Sequence, residues 1–222
     1  MLAPFADNVW CDSREGTFLG VECGARMTVL RLGDGGLFVH SPVALDDATR
    51  RAIGELGPVR AVVAPSIFHH LHVGDWMRDY PDATFAACPG LECKRPDLAF
   101  DSVLGDAPHS AWAADVEQVY FSARRENEVV FFHEKSRTMI CADALLNLST
   151  HRALSTRVVA KLMRNDAPGT GWGERFMIRN RTVARRQADR ILEWDFERAV
   201  LAHGEPVDRD GKAVFRHAYA WL

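Results

Sequence analysis

Apolar positions along the chain follow two periods, and the change between them divides the sequence. Short β-rich runs come first. Met27–Leu32 and Leu37–Pro42 flank Gly33-Asp34-Gly35-Gly36, which predicts a hairpin. Leu45–Leu56 has helical spacing and stops at Gly57-Pro58. Val59–Pro65 predicts a buried strand, Trp76–Tyr80 a short helix and Thr84–Cys88 another strand. After an irregular stretch come Gln118–Phe121, Val129–Phe132 and Thr138–Ala142, with Lys135-Ser136-Arg137 as the turn between the last two. The period then lengthens. Ala153–Arg164 and Phe176–Trp194 predict amphipathic helices separated by Asp166–Gly171, followed by a strand at Ala199–Ala202 and a helix at Ala213–Leu222. Strand-rich halves, each followed by helices, predict two packed sheets with helices outside.

Composition narrows the setting. The 222 residues carry no repeat or Ser/Gly linker, so one domain over 1–222 is expected. The net charge of −3 argues against partners recruited by bulk positive charge, nucleic acid and anionic membrane among them. No apolar run is long enough for a membrane span, and the first residues lack the pattern of a secretory signal. The five cysteines, Cys11, Cys23, Cys88, Cys93 and Cys141, are scattered and odd in number. They predict reduced thiols in a cytoplasm. The expected partner is a small-molecule substrate, and the expected state a monomer or homodimer.

Candidate chemistry gathers where apolar strands end. His69-His70-Leu71-His72-Val73-Gly74-Asp75 follows Val59–Pro65. In an extended segment His70 and His72 would point the same way and could converge on one ion, imidazole being the commonest metal ligand. Asp143 follows Met139–Ala142, His203-Gly204 follows Ala199–Ala202, and Ser41-Pro42 ends another run. Each has a structural reading: solvated loop histidines, a helix cap at Asp143, a satisfied strand-end histidine at His203. Their joint occurrence favours a site.

The order strand to His-x-His, strand to Asp, strand to His-Gly resembles the metallo-β-lactamase superfamily, from about Met27 to His203. Arg26–Leu32, His40–Val43, Leu56–Val59, Ala64-Pro65, His69-His70, Trp76 with Tyr80-Pro81, Glu193-Trp194 and Ala202–Gly204 resemble one branch of it, a domain of unknown function. The resemblance implies an α/β fold, a four-layer αββα sandwich with a metal site at one edge of the sheets. It carries over His70, His72, Asp143 and His203 as metal ligands. The superfamily's His-x-His-x-Asp-His is incomplete here: Gly74 stands at the aspartate position and Asp75 at the last histidine. Ser122–Glu128, where a further ligand histidine usually lies, contains none. The resemblance therefore implies at most one divalent metal, zinc first and iron or manganese next, or a site without metal. Asp75 becomes the expected catalytic base. The expected activity is hydrolysis of an ester, amide or phosphoester; the alternative is a binding or scaffold protein that keeps the fold.

Arg179, Arg181, Arg185, Arg186 and Arg190 are expected on a solvated helix face rather than at a nucleic-acid surface. Asp166–Glu174 reads equally as a lid or a surface loop, and Trp112, Trp172, Trp194 and Trp221 as packing residues.

Overall fold

The computed structural model describes residues 1–222 apart from Thr150 and Asp166. In chain order the elements are β1 (Ala3–Ala6), β2 (Val9–Arg14), β3 (Thr17–Phe18), β4 (Val21–Glu22), β5 (Ala25–Arg31), β6 (Leu37–His40), α1 (Asp47–Leu56), β7 (Val59–Ala64), α2 (Val73–Asp79), β8 (Thr84–Ala87), α3 (Leu91–Lys94) and β9 (Ser102–Val103). The second half holds β10 (Val116–Phe121), β11 (Glu128–His133), β12 (Thr138–Cys141), α4 (Leu154–Leu162), α5 (Trp172–Phe176), α6 (Arg181–Ile191), β13 (Arg198–Leu201) and α7 (Gly211–Ala218). One sheet runs β1-β2-β5-β6-β7-β8-β9 and the other β10-β11-β12-β13, with β3 and β4 a small separate hairpin. Pairing is parallel from β6 to β9 and between β12 and β13.

The four layers follow from side-chain alternation. Met27, Val29, Leu37, Val39, Val62 and Ala64 pack outward with Ile53 of α1 and Val73 and Trp76 of α2. Their neighbours Leu30, Phe38, Ala61 and Val63 point inward and meet Val129, Phe131, Ile140 and Val200 of the other sheet. The far face of that sheet presents Val119, Phe121, Val130, Phe132, Met139 and Cys141 to Ala184, Ala188 and Ile191 of α6 and Phe215 of α7. This is the expected αββα sandwich. Its apolar strands are buried on both faces, as expected for parallel pairing under helices.

Local chemistry sets several boundaries. The Asp46 side chain accepts from the Thr49 amide and caps α1. The stretch expected as one helix over Phe176–Trp194 holds only the last residue of α5 and then α6, because Asn180 caps a new helix by accepting from Val183 N–H. Between them, Arg179 N–H donates to Ala123 and Ile178 bridges Arg124. On α6, Arg185 pairs with Asp189 and Arg190 with Asp106, while Ala184 and Ala188 face the core. No helix among the described residues is long and apolar enough to cross a membrane.

One core side chain is out of keeping with its surroundings. His40 alternates inward with Phe38 and lies edge-on to Phe131, ring centroids 5.6 Å apart. It is 1% exposed, and neither ring nitrogen has a hydrogen-bond partner. Burial, helped by the nearby His69, pushes its pKa down from 6.5 to about 3. Between those values the unfolded chain binds the extra proton. Stability should therefore fall as pH drops below about 6.5, by up to about 1.4 kcal/mol per pH unit from this group. Urea unfolding of His40→Phe between pH 7 and 4 should show a shallower acid slope by about one proton; an unchanged slope would mean that His40 is not the group involved.

Candidate metal centre

Four strand ends meet at one edge of the sandwich. Just past β6, Ser41 adopts a left-handed backbone, φ 55°, rare for a residue with a Cβ. Its hydroxyl lies 2.7 Å from His69 Nδ1. His69 comes from the turn after β7, Asp143 from just beyond β12 and His203 from just beyond β13. Gly204 follows His203 at φ 77°, where a Cβ would lie 1.7 Å from the Asn147 carbonyl oxygen, so only glycine fits. This explains the His-Gly pair.

His69, Asp143 and His203 offer donor atoms that all lie within 4.8 Å of one another. His69 Nε2 is 3.4 Å from Asp143 Oδ2, and His203 Nε2 is 3.4 Å from Asp143 Oδ1. Both separations exceed the usual N–H···O range of about 2.7–3.2 Å. They match the edge of a tetrahedron whose ligands sit about 2.0–2.1 Å from a zinc ion, roughly 3.3–3.4 Å. The other nitrogen of each ring is already committed. His203 Nδ1–H donates to the Gly24 carbonyl at 2.7 Å, and His69 Nδ1 pairs with Ser41. Such outer contacts fix the tautomer of metal-binding imidazoles. The three side chains are 8%, 19% and 17% exposed, so the group is sheltered yet open on one side. Two imidazoles and a carboxylate around an open position suit zinc, and the same set suits ferrous iron.

Electrostatics also favour a cation here. Burial opposes the Asp143 carboxylate, but His69 and His203 beside it hold its pKa well below the ordinary range. Burial likewise opposes a charged His203, and Asp143 with Cys23 outweighs it, raising its pKa to about 10. Without an ion, the carboxylate thus holds a proton on His203; a divalent ion would release it.

Asp143 and His203 come together as expected, but His70 and His72 do not join them. Among the described residues, neither three-donor group contains His70, His72 or Asp75. The alternation that would align His70 with His72 needs extended backbone, whereas residues 66–72 are turns leading into α2. His70 Nδ1 accepts from Arg95 at 3.0 Å. Burial, with Lys94 and Arg95, lowers its pKa to about 4. His72 is partly exposed and lies 3.9 Å from Asp75. Asp75, expected as the base, is ion-paired to Arg78 on α2 instead. His69, the histidine beside the expected pair, is the one the turn delivers. Its signals were its neighbours Ser41 and Asp143, which only the fold brings near. In the segment expected to lack a histidine ligand, Arg124 lies buried, donating to the Asp143 carbonyl at 2.9 Å. Of the candidate lid, Asp166 lies outside the described residues, Gly169 bridges Leu146, and Trp172 opens α5.

Comparisons with known proteins agree with this architecture. The chain resembles the DIM-1 metallo-β-lactamase at 14% identity, covering 99% of this chain and 95% of that one, with a TM-score of 0.69. It also resembles the metallo-β-lactamase from Pontibacter korlensis at 10% identity, covering 100% and 99%, with a TM-score of 0.66. For that from Hirschia baltica the values are 11%, 99% and 96%, and 0.65. At these identities the likeness is one of fold. No protein of curated function matches the chain. A family profile described as Domain of unknown function (DUF4336) matches residues 6–165. The chain thus belongs to the DUF4336 family, and its fold is that of the metallo-β-lactamases.

Proposed function

We propose that this protein is a metal-dependent hydrolase with one divalent ion held by His69, Asp143 and His203. The observation that carries this reading is the pair of 3.4 Å approaches of two Nε2 atoms, each with its ring's other nitrogen already engaged, to the two oxygens of one carboxylate. An ion bound there would polarise a carbonyl or phosphoryl oxygen and acidify a water. The chain's own groups orient and shelter. Ser41 and the Gly24 carbonyl hold the imidazoles, Asp143 stays ionised between them, and Ser66 Oγ lies 3.5 Å from Asp143 Oδ2. The substrate classes that fit are esters, amides and phosphoesters.

A second reading, a metal-free binding protein, is favoured by one observation: Asp143 and a protonated His203 already form an ion pair. Elemental analysis of protein purified without chelator or affinity-column metal separates the two. The hydrolase reading expects about one ion per chain, together with turnover of a nitrophenyl ester, phosphodiester or lactam that chelator abolishes and zinc, manganese or ferrous iron restores. Metal-free protein that gains neither ion nor thermal shift at saturating metal would support the binding reading.

A further inference from the structure

Behind the histidine site lies a second cluster with different chemistry. Glu126, Glu128 and Asp143 place carboxylate oxygens within 4.8 Å of one another. The two glutamates are 1% and 0% exposed, and Glu126 Oε2 and Glu128 Oε2 have no hydrogen-bond partner. The other oxygen of Glu128 accepts from the amides of Ala142 at 2.7 Å and Asp143 at 3.1 Å, so that carboxylate is fixed on the loop carrying Asp143.

Among these oxygens sits a cation of the chain's own. Arg124, 1% exposed, donates through Nε to Glu126 Oε1 at 2.6 Å and ion-pairs with it through Nη2. Its Nε lies 3.4 Å from Glu128 Oε2, Nη2 donates to the Asp143 carbonyl, and Nη1 donates to Tyr219 Oη at 3.2 Å. Arg124 thus reaches both glutamate carboxylates and the Asp143 carbonyl, yet one oxygen of each glutamate keeps no hydrogen bond, and buried polar oxygens need compensation. The two orphaned oxygens mark where compensation is missing.

We infer that Arg124 occupies a latent second cation site formed by Glu126, Glu128 and Asp143, and that a divalent ion takes this place when the arginine is removed. The cluster is all oxygen, so the ion it suits is hard, such as manganese or magnesium. The site shares Asp143 with the proposed histidine site but rests on its own geometry.

Manganese binding to Arg124→Ala and wild-type protein tests this, using equilibrium dialysis and electron paramagnetic resonance, each also in a His203→Ala background. The expected result is one additional manganese per chain in Arg124→Ala, over whatever the parent binds, in both backgrounds. Arg124→Ala should melt below wild type in chelator. Manganese at about a hundred times its Kd should raise its Tm by about 5–10 °C. Arg124→Lys, which keeps a cation, and Arg124→Ala/Glu126→Gln, which removes a ligand, should show no extra ion. A folded Arg124→Ala chain without the extra manganese would overturn the inference. So would an Arg124→Ala chain that folds neither with nor without the ion, or an equal gain in Arg124→Lys. Loss of the His203-dependent ion alone would count against the hydrolase reading and leave this one standing.

Discussion

Replacing Asp143 with alanine is expected to weaken divalent-metal binding by more than about 100-fold, since losing even an outer contact to a ligand costs about 10–100-fold. Asp143 supplies the site's anionic donor and the charge that draws the two Nε2 atoms inward. Ser41→Ala provides the graded comparison. It removes only the partner of His69 Nδ1, so it should cost about 10–100-fold and leave the donor set intact. Isothermal titration of chelator-treated protein with zinc measures both, with circular dichroism verifying the fold. Equal affinities in Asp143→Ala and wild type would remove this group from consideration as the metal centre. Equal losses in both variants would show that Ser41 acts on the fold rather than on the ring of His69.

Phe131→Ala is expected to cost about 3–5 kcal/mol, the range for truncating a buried aromatic ring. Phe131 is wholly buried at the centre of the layer between the sheets, edge-on to Phe38 at 5.3 Å and to His40 at 5.6 Å. Helices cover the outer face of each sheet, so little can move in to fill the void. For a chain of this length the loss corresponds to a Tm lower by about 6–20 °C. A penalty below about 1 kcal/mol in urea unfolding would mean that the two sheets close over the gap.

The αββα order was legible because its central strands are apolar on both faces, and such runs read as buried strands before any pairing is known. β2 was not, because it alternates through a buried Asp12 satisfied by Arg14 and lacks an apolar run. The candidate site was legible where a candidate ligand directly follows a strand, as Asp143 and His203 do. It was misread at the histidine cluster, where the choice among His69, His70 and His72 depends on a turn and on Arg95. Arg95 follows α3 and claims His70. The Arg124 cluster carried no sequence signal, since an arginine among glutamates reads as a surface pair until burial shows otherwise.

The four strand ends that build the candidate metal centre are contributed by both sheets and by segments far apart in the chain. Ser41 and His69 follow neighbouring strands of one sheet, Asp143 and His203 neighbouring strands of the other, so the full set assembles only when the sheets dock and the unfolded polypeptide has no comparable grip on an ion. Binding of an ion there would then be coupled to global folding. An ion at a hundred times its Kd would add about 2.7 kcal/mol to the folded state. The lifetime of the molecule against proteolysis would then follow the free metal concentration around it, making its abundance a gauge of metal supply.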